Sequence, residues 1–189
     1  MSEVVRYRID PRASRFTVRA FAGGPLSAMG HNPSFAIGDV TGEASLDPEN
    51  GENASLTLTV KATSLALTDN MSDKDRREIE RTLQEEVLET ARFPEISYVC
   101  AAGKARVTGN GDGQLQVALN GDLTLHGVTK PHPMSARVFL SGDMLRGSAE
   151  STLRQSDFGI KLVSAAGGMI KVKEDVKLTC DFVALKQQD

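Results

Sequence analysis

The sequence predicts an all-β fold: an antiparallel barrel of about eight strands, interrupted by one helical insert over about residues 72–90. Apolar and polar residues alternate through most of the chain, giving each strand one dry and one wet face. Clusters of Gly and polar turn residues separate these runs at hairpin spacing, consistent with 17 glycines in 189 residues. Aromatic residues reach only 5% and Trp is absent, so few large rings are on hand to plug the inside of the sheet. One-sided alternation speaks for antiparallel pairing, because strands buried between helices are apolar on both faces.

Taken in order, Phe16, Val18 and Ala20 form the first dry set, and Leu56, Leu58, Val60 and Ala62 the next. Leu115, Val117, Leu119, Gly121, Leu123 and Leu125 continue the pattern in a longer run. Met134, Ala136, Val138 and Leu140 follow, and Val176, Leu178, Cys180, Phe182 and Ala184 close the chain. Asp10-Pro11, Gly23-Gly24-Pro25, Asp47 to Gly51, Gly109 to Gly113 and Ser141-Gly142-Asp143 read as hairpin-type breaks. Gly38, Gly42 and Gly121, inside strand patterns, fit the bends and bulges that closure requires. From Ser72 to Thr90 the alternation stops, and Ile79, Leu83, Val87 and Leu88 recur at helical spacing. Ser72 is an N-cap with Asp75 in the first turn, and Pro94 ends the segment before a strand begins at Glu95. The charges of this helix form a solvated face, and its apolar stripe covers the open end or seam of the barrel. Residues 1–189 read as a single domain.

A net charge of -3 argues against a nucleic-acid partner, which would require a basic face. The first ten residues carry Glu3, Arg6 and Arg8 and no apolar stretch of signal length, which gives a cytoplasmic expectation, or a periplasmic one if a leader has been removed. Cys100 and Cys180 have neither metal-type spacing nor a CxxC partner and read as structural thiols.

The chemistry-bearing residues are sparse. His31, His126 and His132 belong to no HExxH and read as loop-edge histidines. GxSxG is absent, and Gly23-Gly24 lacks the Lys and helix start of a phosphate loop. Acid–base catalysis needs a titratable group within reach of substrate, and the predicted lumen is greasy. The residues therefore favour binding over chemistry, with no catalytic residue, no metal and no cofactor. Two other readings compete. One is a metal-assisted hydrolase or isomerase with His31, His126 and an acid such as Asp122 at the barrel mouth. The other is a protein-docking module built on the charged helix from Asp73 to Glu89. A barrel of this size holds one elongated ligand or only its own side chains.

Several stretches also stand in a familiar order. They are Tyr7 to Pro11 with Ser14 to Val18, Phe93 to Tyr98, Asn120 to Lys130, Ser156 to Ile160, and Asp175 to Leu178. In these the chain resembles the YceI-like family almost end to end. It departs from the family pattern at Gln155, where an Arg is usual and Arg154 lies one position earlier. The insert from Ile79 to Thr90 lacks the usual His-Leu-Arg run, and the Gly30-His31-Asn32-Pro33 turn looks like a subgroup feature. The resemblance implies a lipocalin-like barrel. It also implies non-enzymatic binding, storage or transport of a long-chain amphiphile: a polyisoprenoid, a quinone or a fatty-acid-like lipid.

Strand parity then nominates the ligand-binding set. Phe16, Val18, Leu58, Val60, Tyr98, Leu119, Leu123, Val138, Ile160 and Phe182 line the lumen, with Phe158 beside Ile160 in the late motif. Leu83, with Val87 and Leu88, caps one end, and His31 or Arg154 meets a polar headgroup at the mouth. The expected partner is a small-molecule amphiphile, with transient membrane contact and a homodimer left open.

Overall fold

The structure, a computed structural model, describes residues 3–24, 30–165 and 170–188. The strands are β1 (Val5–Arg19), β2 (Ala22–Gly23), β3 (Ser34–Ile37), β4 (Val40–Leu46), β5 (Ser55–Lys61), β6 (Leu65–Leu67) and β7 (Glu95–Cys100). They continue as β8 (Ala105–Gly111), β9 (Gln114–Leu125), β10 (Val128–Ser141), β11 (Met144–Arg154), β12 (Ser164–Ala165), β13 (Ile170–Val172) and β14 (Asp175–Lys186). Between β6 and β7 lies the helix α1 (Asp73–Thr82), which widens into a π-helical turn at Leu83–Val87.

Eight strands close a barrel in the order β1-β14-β11-β10-β9-β7-β5-β4 and back to β1, with every pairing antiparallel. The remaining strands extend it. Because β1 is 15 residues long, its start pairs with β4 and its end with β3, and β6 then pairs with β3. Short strands β2, β13 and β12 form a separate sheet.

The Asp10-Pro11 pair does not break the strand, as its composition suggested. It opens a bulge within β1, between register positions Asp10 and Arg15. Asp10 Oδ1 accepts from the backbone N–H of Arg12 (2.9 Å) and Ala13 (3.4 Å). The Ser14 hydroxyl donates to the Asp10 carbonyl at 2.6 Å and accepts from Val183 N–H at 3.0 Å. The extra residues shift the phase of the strand, so the inward set changes from Tyr7 and Ile9 to Phe16 and Val18.

A second partner change occurs on β9. Its first half pairs with β8 and its second half with β7. Tyr98 fills the gap: its hydroxyl donates to Leu119 O at 3.3 Å and accepts from Gly121 N–H at 3.1 Å. A Cβ at position 121 would lie 2.4 Å from Tyr98 Cζ, so this glycine makes room for a ring.

The helix begins as its sequence predicts. Ser72 is extended, and its hydroxyl accepts from Asp75 N–H at 3.1 Å. Helical geometry ends well before Pro94: Val87 is the last helical residue, Leu88 caps it, and Glu89 turns into the left-handed region at φ 46°. Arg76 donates to the carbonyls of Leu67 and Asp69, and Leu67 N–H donates to Glu80, so α1 is tied to β6. Among the described residues no helix is long and apolar enough to cross a membrane.

Candidate ligand-binding cavity

The inward side chains divide at the level of Gly121 and Tyr98. Towards the β4–β5 loop, Leu56, Val117, Leu119, Ala136, Val138, Leu145 and Phe182 converge and leave a void of about 40 Å³. Towards α1 the barrel is hollow, with a cavity of about 840 Å³. Its wall is largely apolar, from Phe16, Val18, Phe35, Leu58, Val60, Leu123, Leu125, Met134, Leu153 and Leu178. Ile79, Leu83, Val87 and Leu88 of the helical segment cover it, as their spacing predicted. The exposed side chains of Asp75, Glu78, Arg81 and Glu86 also border it, which places the mouth beside the helix.

Of the nominated set, Phe16, Val18, Leu58, Val60, Leu83, Tyr98, Leu123, Ile160 and His31 border this cavity. Leu119, Val138 and Phe182 face the small void instead. Phe158 is buried in the core and borders neither space, and Arg154 points to solvent. The backbone explains the last two. Leu153 faces inward, so Arg154 must face out and Gln155 in. Gln155 is only 6% exposed, and its amide nitrogen donates to Lys173 O at 3.0 Å. His31 is held at the rim because its segment returns along β1. Ala20 N–H donates to Pro33 O (3.0 Å), and Ala22 N–H to Asn32 Oδ1 (2.8 Å).

Parity alone could have found Leu125, Met134, Leu178 and Cys180, which also border the cavity. His132 is less obvious. Its flanking prolines read as loop, yet it lies inside β10 opposite Gly121 and borders the cavity. The prolines are tolerated because the β10–β11 ladder begins only at Ser135↔Glu150, leaving this stretch paired on the β9 side alone. Across the open side, His132 Nε2 and the Ser151 hydroxyl meet at 3.0 Å. Burial pushes the His132 imidazole below its ordinary pKa, so it is neutral at pH 7.

His126 serves elsewhere. In the β9–β10 turn, its Nδ1 donates to Phe158 O at 3.2 Å, and its Nε2 lies 2.6 Å from Glu89 Oε2. The Phe93 ring packs against it at 4.5 Å between centroids. The hydrogen bonds from His126 and then Arg92 hold the Glu89 carboxyl below its usual pKa. This arrangement fastens the end of the helical segment to the barrel, and His126 does not border the cavity with His31. Among the described residues no three His, Cys, Asp or Glu side chains gather in a metal-binding group. Burial lifts the Cys180 thiol to about 11 and the Tyr98 hydroxyl to about 12, leaving both protonated at neutral pH.

A family model described as the YceI-like domain matches residues 7–184, nearly the whole chain. The chain belongs to the YceI-like family. A UPF0312 protein of Pseudomonas savastanoi pv. phaseolicola is 31% identical over 151 residues, covering 75% of this chain and 71% of that one. Protein YceI of Escherichia coli O6:H1 is 26% identical over 162 residues, covering 82% and 76%. Among solved structures, Burkholderia cenocepacia BcnA aligns with a TM-score of 0.70 at 16% identity, over 93% of this chain and 98% of that one. A polyisoprenoid binding domain from Saccharophagus degradans, implicated in plant cell wall breakdown, aligns at 0.66 and 14% identity, over 97% and 99%. At such identity the structural likeness establishes a shared barrel. Within this YceI-like barrel, Gln155 stands inward.

Proposed function

We propose that this protein binds a long-chain amphiphile in the upper lumen, as a non-enzymatic carrier or store. The observation that carries the reading is the 840 Å³ apolar cavity inside a closed barrel, roofed by an amphipathic helix whose polar face is left to solvent. A cavity of this size lies within the ordinary range for small-molecule sites. Each methylene moved from water into such a wall contributes about 0.8 kcal/mol, so a chain of several isoprene units needs no charged anchor. The family and the polyisoprenoid-binding neighbour support a lipid ligand of this kind.

The test is extraction of freshly purified protein into organic solvent, followed by mass spectrometry, together with titration of an apolar fluorescent probe. The expected result is a co-purifying amphiphile, or saturable probe binding that added lipid reverses. Protein that yields neither has no such function.

A further inference from the structure

The two ends of the cavity differ in chemistry. At the mouth, three acids, Asp75, Glu78 and Glu86, outnumber one guanidinium, Arg81, with the His31 imidazole also at the rim. Among the described residues, Arg81 is the only Lys or Arg bordering the cavity, and its charge is already engaged. Arg81 Nη1 lies 3.1 Å from Glu85 Oε2 and 3.5 Å from Glu86 Oε1. An anionic headgroup arriving here meets net negative charge and no uncommitted cation.

The floor is different. His132 stands opposite Gly121, at the level where the lumen closes. Its Nε2 is taken by Ser151, and its Nδ1 makes no hydrogen bond among the described residues. If Ser151 donates to Nε2, Nδ1 carries the proton and can donate; if Nε2 donates, Nδ1 can accept. Either tautomer leaves one hydrogen-bonding position on a residue that borders the cavity together with Leu123, Met134 and Leu153. A neutral imidazole suits a neutral oxygen and offers no charge to an anion.

We propose that His132 is the specificity-determining contact for an amphiphile with a neutral hydrogen-bonding headgroup, a carbonyl or a hydroxyl, and that the acidic rim excludes anionic headgroups on the same tail. This rests on lumen binding as proposed above and narrows the class of ligand. The physical basis is an asymmetry. A polar group buried without a partner costs free energy, whereas one that meets Nδ1 does not. The rim acts at longer range and is screened by salt.

The experiment is displacement of a lumen-bound apolar fluorescent probe by hexadecane, hexadecanol and palmitate, which share one tail. At low salt near pH 7, hexadecanol is expected to bind about tenfold more tightly than palmitate. His132→Phe should weaken hexadecanol by about tenfold and leave hexadecane within about twofold, whereas His132→Gln, which keeps hydrogen-bonding capacity, should retain most hexadecanol affinity. Glu78→Gln with Glu86→Gln, both on the exposed helix face, should raise palmitate affinity by about three- to tenfold, and added salt should shrink that gain. Palmitate binding tightest to the unaltered protein would overturn the proposal, as would equal losses of hexadecane and hexadecanol in His132→Phe. If the probe binds but all three ligands compete equally, the specificity fails and lumen binding stands. If neither probe nor ligand binds, both fall.

Discussion

The same strands wall both ends of this barrel, yet they leave about 40 Å³ below Gly121 and about 840 Å³ above it. Side-chain type alone does not account for the difference, since Leu is the commonest lining residue at both ends. In the lower half the partners interlock: Phe182 lies against Gly147 so closely that a Cβ there would be 2.3 Å from its ring. The β4–β5 loop seals that end around Asp47, which is fully buried and whose carbonyl accepts from Gly51 N–H at 2.7 Å. In the upper half the wall spreads. β1 leaves β4 for β3, β10 parts from β11 above Ser135, and a helix covers the opening in place of a packed layer. Partner exchange at the strand ends, more than composition, makes the cavity.

Matched leucines give the largest test of this contrast. Leu145, 1% exposed in the lower half, should lose about 4 kcal/mol of stability on change to Ala, because packed neighbours cannot relax into the void. Leu123, on the cavity wall, should lose about 2 kcal/mol for the same truncation. Chemical denaturation of both variants reads the difference, and equal losses would mean that the upper half is packed like the lower.

Filling the space is the next test. Leu58→Trp or Leu123→Trp should abolish probe binding at a stability cost of about 1–3 kcal/mol, while Thr57→Ala and Thr124→Ala on the wet faces leave binding unchanged. Leu119→Trp or Val138→Trp, aimed at the small void, should unfold the protein before affecting any ligand.

These contrasts also mark how far the sequence could be read. Alternation in β5, β9, β10 and β14 identified which residues face inward, because a period of two is the geometry of the strand itself. It carries no information on height along the barrel, so by parity Leu119, Val138 and Phe182 are indistinguishable from residues of the large cavity. Non-local pairing decides that height. The β1 bulge was hidden because Asp10-Pro11 has the composition of a turn, and His132 because Pro131 and Pro133 mimic a loop unless the missing β11 ladder is known. Arg154 is a headgroup candidate in the sequence, whereas in the structure the alternation from Leu153 turns Arg154 outward and Gln155 inward. The helical stripe was legible in full, although its widening into a π turn was not.

A smaller effect separates His132 from the surface. Its folded pKa is depressed, so the stability it protects is present above the unfolded value of about 6.5 and is lost as pH falls from there through the folded value. His132→Gln should therefore flatten the acid limb of a melting-temperature profile below about pH 6.5, and an unchanged limb would place the loss on another group. The smallest effect is kinetic. Cys180 borders the cavity with its thiol raised to about 11, so alkylation should be slow at neutral pH, speed up towards that value, and slow again when lipid is bound. Cys100, buried outside the cavity, should show no such protection.

The most direct measurement is a crystal structure of the protein soaked with a long-chain amphiphile brominated along its tail. Anomalous bromine signal is expected between the Gly121–Tyr98 floor and the helical segment, within the wall formed by Leu58, Leu123 and Leu178. Bromine found only on the outer surface, or an upper lumen that refuses the chain at saturating concentration, would contradict the assignment of this cavity as the binding site.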